Sequence, residues 1–335
     1  MNSKIPDRFL VADVGGTNAR FAVAERSHEC PFSGFRLVDP RSLAVSQFGN
    51  FDDAIAEYLD SSGLAQAGVA GASLAVASAV GIGEIRFTNS PWRFSRKSLT
   101  ERFQFKKLLI VNDFEALARQ IEHSPPSFIN RCRDGESHPT AARIVVGPGT
   151  GLGVAGLIRH SSADGRSRWI PIPGEGGHIA FAPGDDIEEA LLAYLRKTFG
   201  RVSIERVASG PGLTNIYQFL ACRAGCESKD DSPDAIAKRA LSTADPIATD
   251  AVNLFLGILG SFAGDAAMMF GARGGVFLGG GILPRLVPLL GKSGFFKKFD
   301  EKGRHSDWMA KIPIDLIIND KAALLGAAIA LNDES

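Results

Sequence analysis

Cysteine is scarce in this chain: four residues in 335, namely Cys30, Cys132, Cys222 and Cys226. Only the last two are close, as C-x-x-x-C, with no matching second pair and no histidine beside them. That argues against a disulfide framework and against a zinc site. Net charge is missing too. Lys plus Arg number 37 and Asp plus Glu 37, and no long basic run breaks the balance, so a nucleic-acid surface is not expected. The sequence does not open on a positively charged stretch followed by an apolar core, and no apolar run reads as long enough to span a bilayer. A soluble cytoplasmic protein is expected, with neither nucleic acid nor membrane as a partner. At the usual ~150 residues per domain, the length suggests about two domains and an ample core.

What the chain has in quantity is glycine, 37 residues, much of it where strands end. Residues 9–20 read FLVADVGGTNAR. Residues 9–14 are an apolar, β-branched run of strand length, Gly15 and Gly16 can turn with positive φ, and residues 20–23 resume a strand pattern. The glycines therefore read as the bend of a β-hairpin. Neither the dinucleotide fingerprint nor the Walker loop fits this spacing. Bare N–H groups at the bend, with Thr17 and Asn18 beside them, can close on phosphate oxygens as a backbone nest does. An ordinary tight turn accounts for the glycines as well. Asp13 enters the bend from the strand, where a carboxylate repels phosphate unless a hydrated cation stands between, so Asp13 reads as a magnesium-side residue.

The pattern returns further on. Residues 143–146 read as a strand, 147–153 (GPGTGLG) as a glycine loop and 154–158 as a second strand. Strand, glycine bend, strand thus occurs once in each half, with Thr17 in one and Thr150 in the other, which suggests a phosphate held from both sides. Residues 274–278 form a strand running into Gly279, Gly280 and Gly281, and Pro284 starts a helix. Adenosine or ribose can rest on such a junction; a tight βα connection is the plain alternative.

Between these loops, residues 50–59 have helical spacing with Asn50 as cap, and residues 72–80 read as a strand covered on both faces. TNSPW, residues 88–92, is a loop in which Asn89 can bond a hydroxylated ligand or simply turn the chain. KLLIV, residues 107–111, is a buried strand ending in Asn112 and Asp113 before a helical pattern at 115–121. Strand carboxyl ends line the ligand crevice in open α/β sheets, so the pair is well placed for chemistry, while Asp113 as a helix N-cap is the structural alternative. Residues 123–140 are polar and without periodicity, a surface connection. In GEGGH, residues 174–178, the glycines leave Glu175 and His178 as the side-chain functions, suited to vicinal sugar hydroxyls. This is not H-E-x-x-H and no third ligand is near, so metal is not expected there. Residues 185–199 form a helix ended by Gly200, and a short turn at 203–207 carries Glu205, a first-turn acid by position. Residues 245–270 read as one or two buried helices, with Gly257, Gly260 and Gly264 allowing close approach. A strand at 312–318 and an apolar helix at 321–331 finish the chain, the helix packing back on the N-terminal domain.

In order along the chain, DVGGTNARFAV, TNSPW, VNDFEALA, GPGTGLGVAGL, IPGEGGHIAFAP, ERVASGPGL and GGVFLGGGILPR resemble the bacterial glucokinase family, within the sugar kinase, actin and Hsp70 superfamily. The resemblance covers nearly the full length. It implies an α/β fold of two actin-like (ribonuclease H-like) domains flanking a cleft: a smaller one of residues 1–122 with 320–335, and a larger one of 123–319. It implies ATP-dependent phosphorylation of glucose at the 6-hydroxyl, with Asp113 as the catalytic base. Asn112, Glu175, His178 and Glu205 are then glucose ligands, with Asn89 near the sugar. Asp13, Gly15, Gly16, Thr17, Asn18, Arg20, Gly149, Thr150, Gly151, Gly280 and Gly281 surround ATP. Mg²⁺ is expected to come with ATP, without a direct protein ligand and through water to Asp13. A homodimer is the usual assembly. The competing readings are a kinase of another hexose or amino sugar and a non-catalytic hexose sensor of the same fold. Related repressors carry a cysteine-rich zinc motif after Glu-x-x-His and a DNA-binding N-terminal extension; this chain shows neither, and a repressor role is not expected.

Overall fold

The computed structural model describes residues 8–30, 33–63, 68–77, 84–87, 92–162, 165, 167–227 and 231–333. Backbone packing divides the chain into two units, Met1–Ile129 with His160–Pro173 and Asn319–Ser335, and Asn130–Arg159 with Gly174–Ile318.

The first unit runs β1 (Arg8–Val14), β2 (Asn18–Arg26), β3 (Phe35–Ala44), α1 (Phe51–Ser61), β4 (Gly71–Val76), β5 (Glu84–Arg86), β6 (Arg93–Ser95), α2 (Arg96–Phe103), β7 (Lys107–Asn112) and α3 (Asp113–Gln120). Its main sheet is ordered β3-β2-β1-β4-β7. β1 is antiparallel to β2 and parallel to β4, which is parallel to β7. The register lays Asp13 beside Ala75 and Ala75 beside Val111, and Val14 beside Val76 and Val76 beside Asn112. The carboxyl ends of three neighbouring strands therefore finish on one edge. Every residue of β4 is buried, as the apolar run at 72–76 requires of a strand covered on both faces. One face of the sheet meets the aromatics Phe21, Phe51, Tyr58 and Trp92. Asn50 caps α1 by accepting from Asp53 N. β3 is not visible as a strand in the residue pattern: Asp39 (φ 50°) and Pro40 interrupt it, and its pairing with β2 shifts register between Phe21 and Val23.

The chain continues through β8 (Ile129–Arg133), β9 (Arg143–Pro148), β10 (Leu152–Ser161), β11 (Ser167–Gly174), α4 (Asp186–Phe199), α5 (Gly210–Arg223), α6 (Pro233–Leu241), α7 (Pro246–Phe270), β12 (Gly275–Leu278), α8 (Leu283–Leu290), α9 (Phe295–Asp300), α10 (Ser306–Met309) and β13 (Ile314–Ile317). Within the second unit the strands lie in the order β10-β9-β12-β13-β8. β8 falls in the stretch expected to be a featureless connection. INRCR lacks apolar alternation because charge holds this edge strand: Arg131 pairs with Asp315, and Arg133 bonds Asp300 at 2.7 Å with its guanidinium 4.9 Å from the Phe299 ring centre.

Residues 245–270 form one helix, α7, capped by Asp245. Contrary to the reading that no apolar run could span a bilayer, α7 is long and apolar enough by composition, but 67% of its most apolar window is buried. It is a core helix of the second unit: side chains added at Gly260 and Gly264 would lie 2.2 and 2.5 Å from the carbonyl oxygens of Phe295 and Phe299 in α9. The last helix, α11 (Ala322–Asp333), belongs to the first unit. Its Leu324, Ala327 and Ala328 cover the sheet face that carries Val11, Ala75 and Val111, together with Ala116 of α3. A Cβ at Gly326 would fall 1.8 Å from the Ala116 carbonyl oxygen, so only glycine lets the two helices come this close.

Candidate active site

In the first unit, the β1–β2 bend closes through Gly15 N donating to Asn18 O at 3.0 Å, and Val45 N donates to Thr17 O at 2.9 Å. Neither Gly15 nor Gly16 has a positive φ, so the expected left-handed turn is not what these glycines provide. Thr17 and Asn18 stand exposed at the tip. Asp13 and Arg20 are cross-strand partners, their side chains 3.0 Å apart. The Asp13 carboxylate is 15% exposed. Burial pushes its pKa up, and the Arg20 guanidinium pulls it down less strongly.

Asn112 ends β7 and is also the N-cap of α3. Its Oδ1 accepts from Phe114 N at 2.9 Å and Glu115 N at 3.2 Å. Of the two roles open to Asp113, the cap is therefore taken by its neighbour. Asp113 is the first residue of α3, where the helix dipole favours negative charge, and its Oδ1 accepts from Phe114 N at 2.9 Å. Asp13 and the Asn112–Asp113 pair share the sheet edge formed by β1, β4 and β7, roughly 10 Å apart at the usual strand spacing. Asn89 lies outside the described residues.

The second unit gathers the remaining candidates. Gly147, in β9, and Gly280, after β12, interlock: a Cβ on Gly147 would meet Gly279 O at 2.4 Å, and one on Gly280 (φ +87°) would meet Pro148 O at 2.3 Å. This packs the loop holding Gly149, Thr150 and Gly151 against the turn holding Gly280 and Gly281. Gly149 N bonds Gly151 O at 2.8 Å, and Gly149 O accepts from Gly210 N at 2.8 Å. Leu152 N donates to Glu205 Oε2 at 2.9 Å, and Ser209 Oγ donates to Glu205 O at 2.7 Å. The GEGGH segment approaches the same loop, since a Cβ on Gly177 would lie 2.1 Å from Leu152 O. Glu175 Oε2 and His178 Nε2 are 3.8 Å apart and about half exposed, at 52% and 46%. Arg201 holds the His178 carbonyl at 2.7 Å.

Residues 209–212 start α5, with Ser209 accepting from Gly212 N at 3.1 Å. Ser followed closely by Pro is the signal that marks such a start. Among the described residues, no group of three His, Cys, Asp or Glu is arranged to hold a metal, and the four cysteines are free thiols.

With these loops in place, the sequence model described as Glucokinase matches residues 10–334. The chain belongs to the glucokinase family. A glucokinase from Chromohalobacter salexigens is 42% identical over 97% of this chain and 98% of its own length. The crystal structure of a glucokinase from an Antarctic psychrotroph superposes with a TM-score of 0.80 at 34% identity, covering 98% of this chain and 99% of that one. A glucokinase from Balamuthia mandrillaris, solved with glucose, has a TM-score of 0.81 at 22% identity over 99% of this chain and 95% of that one, a likeness of fold. The glucokinase family's actin-like α/β fold is the fold of this chain.

Proposed function

We propose that this chain is an ATP-dependent glucokinase, a phosphotransferase with an alcohol acceptor. It moves the γ-phosphoryl group of ATP to the 6-hydroxyl of glucose and yields glucose 6-phosphate and ADP. The observation that carries this is end-to-end likeness to proteins named glucokinase, at 36–42% identity over 95–99% of the chain.

In this reading Asp113 accepts the hydroxyl proton as the oxygen attacks in line. A carboxylate is a weak base for an alcohol, but a loose transition state needs the proton removed only late, so orienting the nucleophile is its main contribution. Asn112, Glu175, His178 and Glu205, with Asn89, hold the ring hydroxyls; a sugar lacking a hydroxyl leaves a desolvated partner unpaired, which is a source of selectivity. Main-chain N–H groups at Gly16, Thr17 and Asn18, and at Thr150 and Gly151, are donors for phosphate oxygens, with Gly15 and Gly149 closing the two bends through their own N–H groups and Arg20 beside them. Gly281, beside which nothing lies within 4 Å, leaves room for adenosine, and Gly280 with its positive φ turns the chain there. Mg²⁺ arriving with ATP would supply charge neutralisation, and Asp13 is the residue that would face it through water. The enzyme works in the cytoplasm as a homodimer and feeds glycolysis.

The deciding experiment is turnover of the purified chain against a hexose panel with ATP and other phosphoryl donors. The expected result is the highest kcat/KM for glucose with ATP. No turnover would make the chain a sensor, and a higher efficiency on another sugar would reassign the acceptor.

A further inference from the structure

We propose that Glu115 is a positioning residue for phosphoryl transfer, clamping the backbone on both sides of Asp113; this rests on the reading of Asp113 as the base. β7 ends at Asn112 and α3 begins at Asp113, so no loop residue separates strand from helix. The direction of the Asp113 side chain is therefore set by the peptide groups next to it. These are pinned from both directions. Asn112 Oδ1 reaches forward to the N–H groups of Phe114 and Glu115 at 2.9 and 3.2 Å, and Glu115 Oε2 reaches back to Asn112 N at 3.4 Å. That reciprocal arrangement is a capping box.

The clamp is itself held. Glu115 Oε1 accepts from Arg119 Nη2, one turn further along, at 2.8 Å, and both side chains are only 15% exposed. With one oxygen on Asn112 N and the other on Arg119, the Glu115 carboxylate has a specified orientation. A second consequence follows for Asn112. Its oxygen is committed to two backbone donors, so the amide offers its NH₂ group to a ligand. The junction then reads a sugar with a defined polarity: a hydroxyl accepts from Asn112, and a hydroxyl gives its proton to Asp113.

Transfer is sensitive to small displacements of the base, and a shift of about 1 Å costs about 100-fold in rate. Glu115→Asp keeps the charge in the first turn of α3 but stops one methylene short of Asn112 N. It should lower kcat by about 10–100-fold while the KM for ATP and the melting temperature stay near wild type. Glu115→Gln keeps the reach to Asn112 N but puts an NH₂, which cannot accept from Arg119, in place of the second oxygen; its kcat should fall between that of the aspartate variant and wild type. Normal turnover in the aspartate variant, or a glutamine variant as slow as the aspartate one, overturns the proposal. Should Glu115→Asp fail to fold, Arg119→Met takes its place: slower kcat at unchanged ATP KM supports the clamp, and unchanged kcat overturns it. Asp113→Asn separates the two readings. If that variant turns over normally, the base assignment falls; if it is inactive while Glu115→Asp is normal, only the clamp falls.

Discussion

Leu152 donates its backbone N–H to Glu205 Oε2 at 2.9 Å, so one carboxylate is tied to the residue that follows Gly149, Thr150 and Gly151. If Glu205 also binds a sugar hydroxyl, it serves both ligands. Glu205→Ala should then raise the KM for ATP as well as for glucose, each by about 10-fold or more for loss of a charge-assisted hydrogen bond. Steady-state kinetics with each substrate varied in turn checks this, and an unchanged KM for ATP would confine Glu205 to the sugar.

Removing the proposed base should separate binding from chemistry. Asp113→Ala is expected to keep glucose affinity within a fewfold, by calorimetry, while kcat drops by about 10²–10⁴. Near-normal turnover would take Asp113 out of the base role. His178→Ala should do the opposite, weakening glucose binding by about 10–100-fold as a paired polar contact is lost. An unchanged affinity would remove it from the sugar.

Asp13 gives a pH signature. Its folded-state pKa lies above the ordinary carboxyl value because burial outweighs Arg20. A raised carboxyl pKa favours folding while both states are protonated. That contribution is present below the unfolded pKa and is lost as pH rises through the folded one. Asp13→Asn should therefore melt higher than wild type near neutral pH, by roughly 2–4 °C, with the gap closing toward acid pH. The same variant should bind Mg-ATP less tightly. A constant gap across the pH range would mean that the carboxylate is not the source.

Gly326→Ala tests the α3–α11 contact. An added Cβ 1.8 Å from the Ala116 carbonyl oxygen forces the two helices apart, at a cost of about 3 kcal/mol and a fall in melting temperature of roughly 5–10 °C. Gly49→Ala, where nothing lies within 4 Å, is the control and should melt within about 2 °C of wild type. Equal melting of the two variants would show that α11 yields at no cost.

The hairpin bends, the KLLIV strand and the strand before Gly279 were legible because apolar runs bounded by glycine or by a cap have few alternatives. β3 was not, since Asp39 with φ 50° and Pro40 break its period. β8 was not either, since its hold comes from Arg131 and Arg133 and acids about 170 residues or more away in sequence, which no local pattern records. At the site, residue types pointed to Asn112, Asp113, Glu175 and His178. The commitment of Asn112 to capping, and the bond from Leu152 to Glu205, depend on backbone positions that spacing leaves open. Glycine at 15 and 16 suggested a left-handed turn, but neither has a positive φ, and a Cβ on Gly15 would lie 3.5 Å from Asn18 O, an ordinary contact.

The backbones of Gly147 and Gly280 leave no gap in which one could shift without the other, and Gly279 N is bonded to Val146 O at 2.9 Å. The two turns therefore open together. Their amide protons should exchange with solvent at a common rate, as one cooperative unit, and a bulky side chain tolerated at either position would need a matching change at the other.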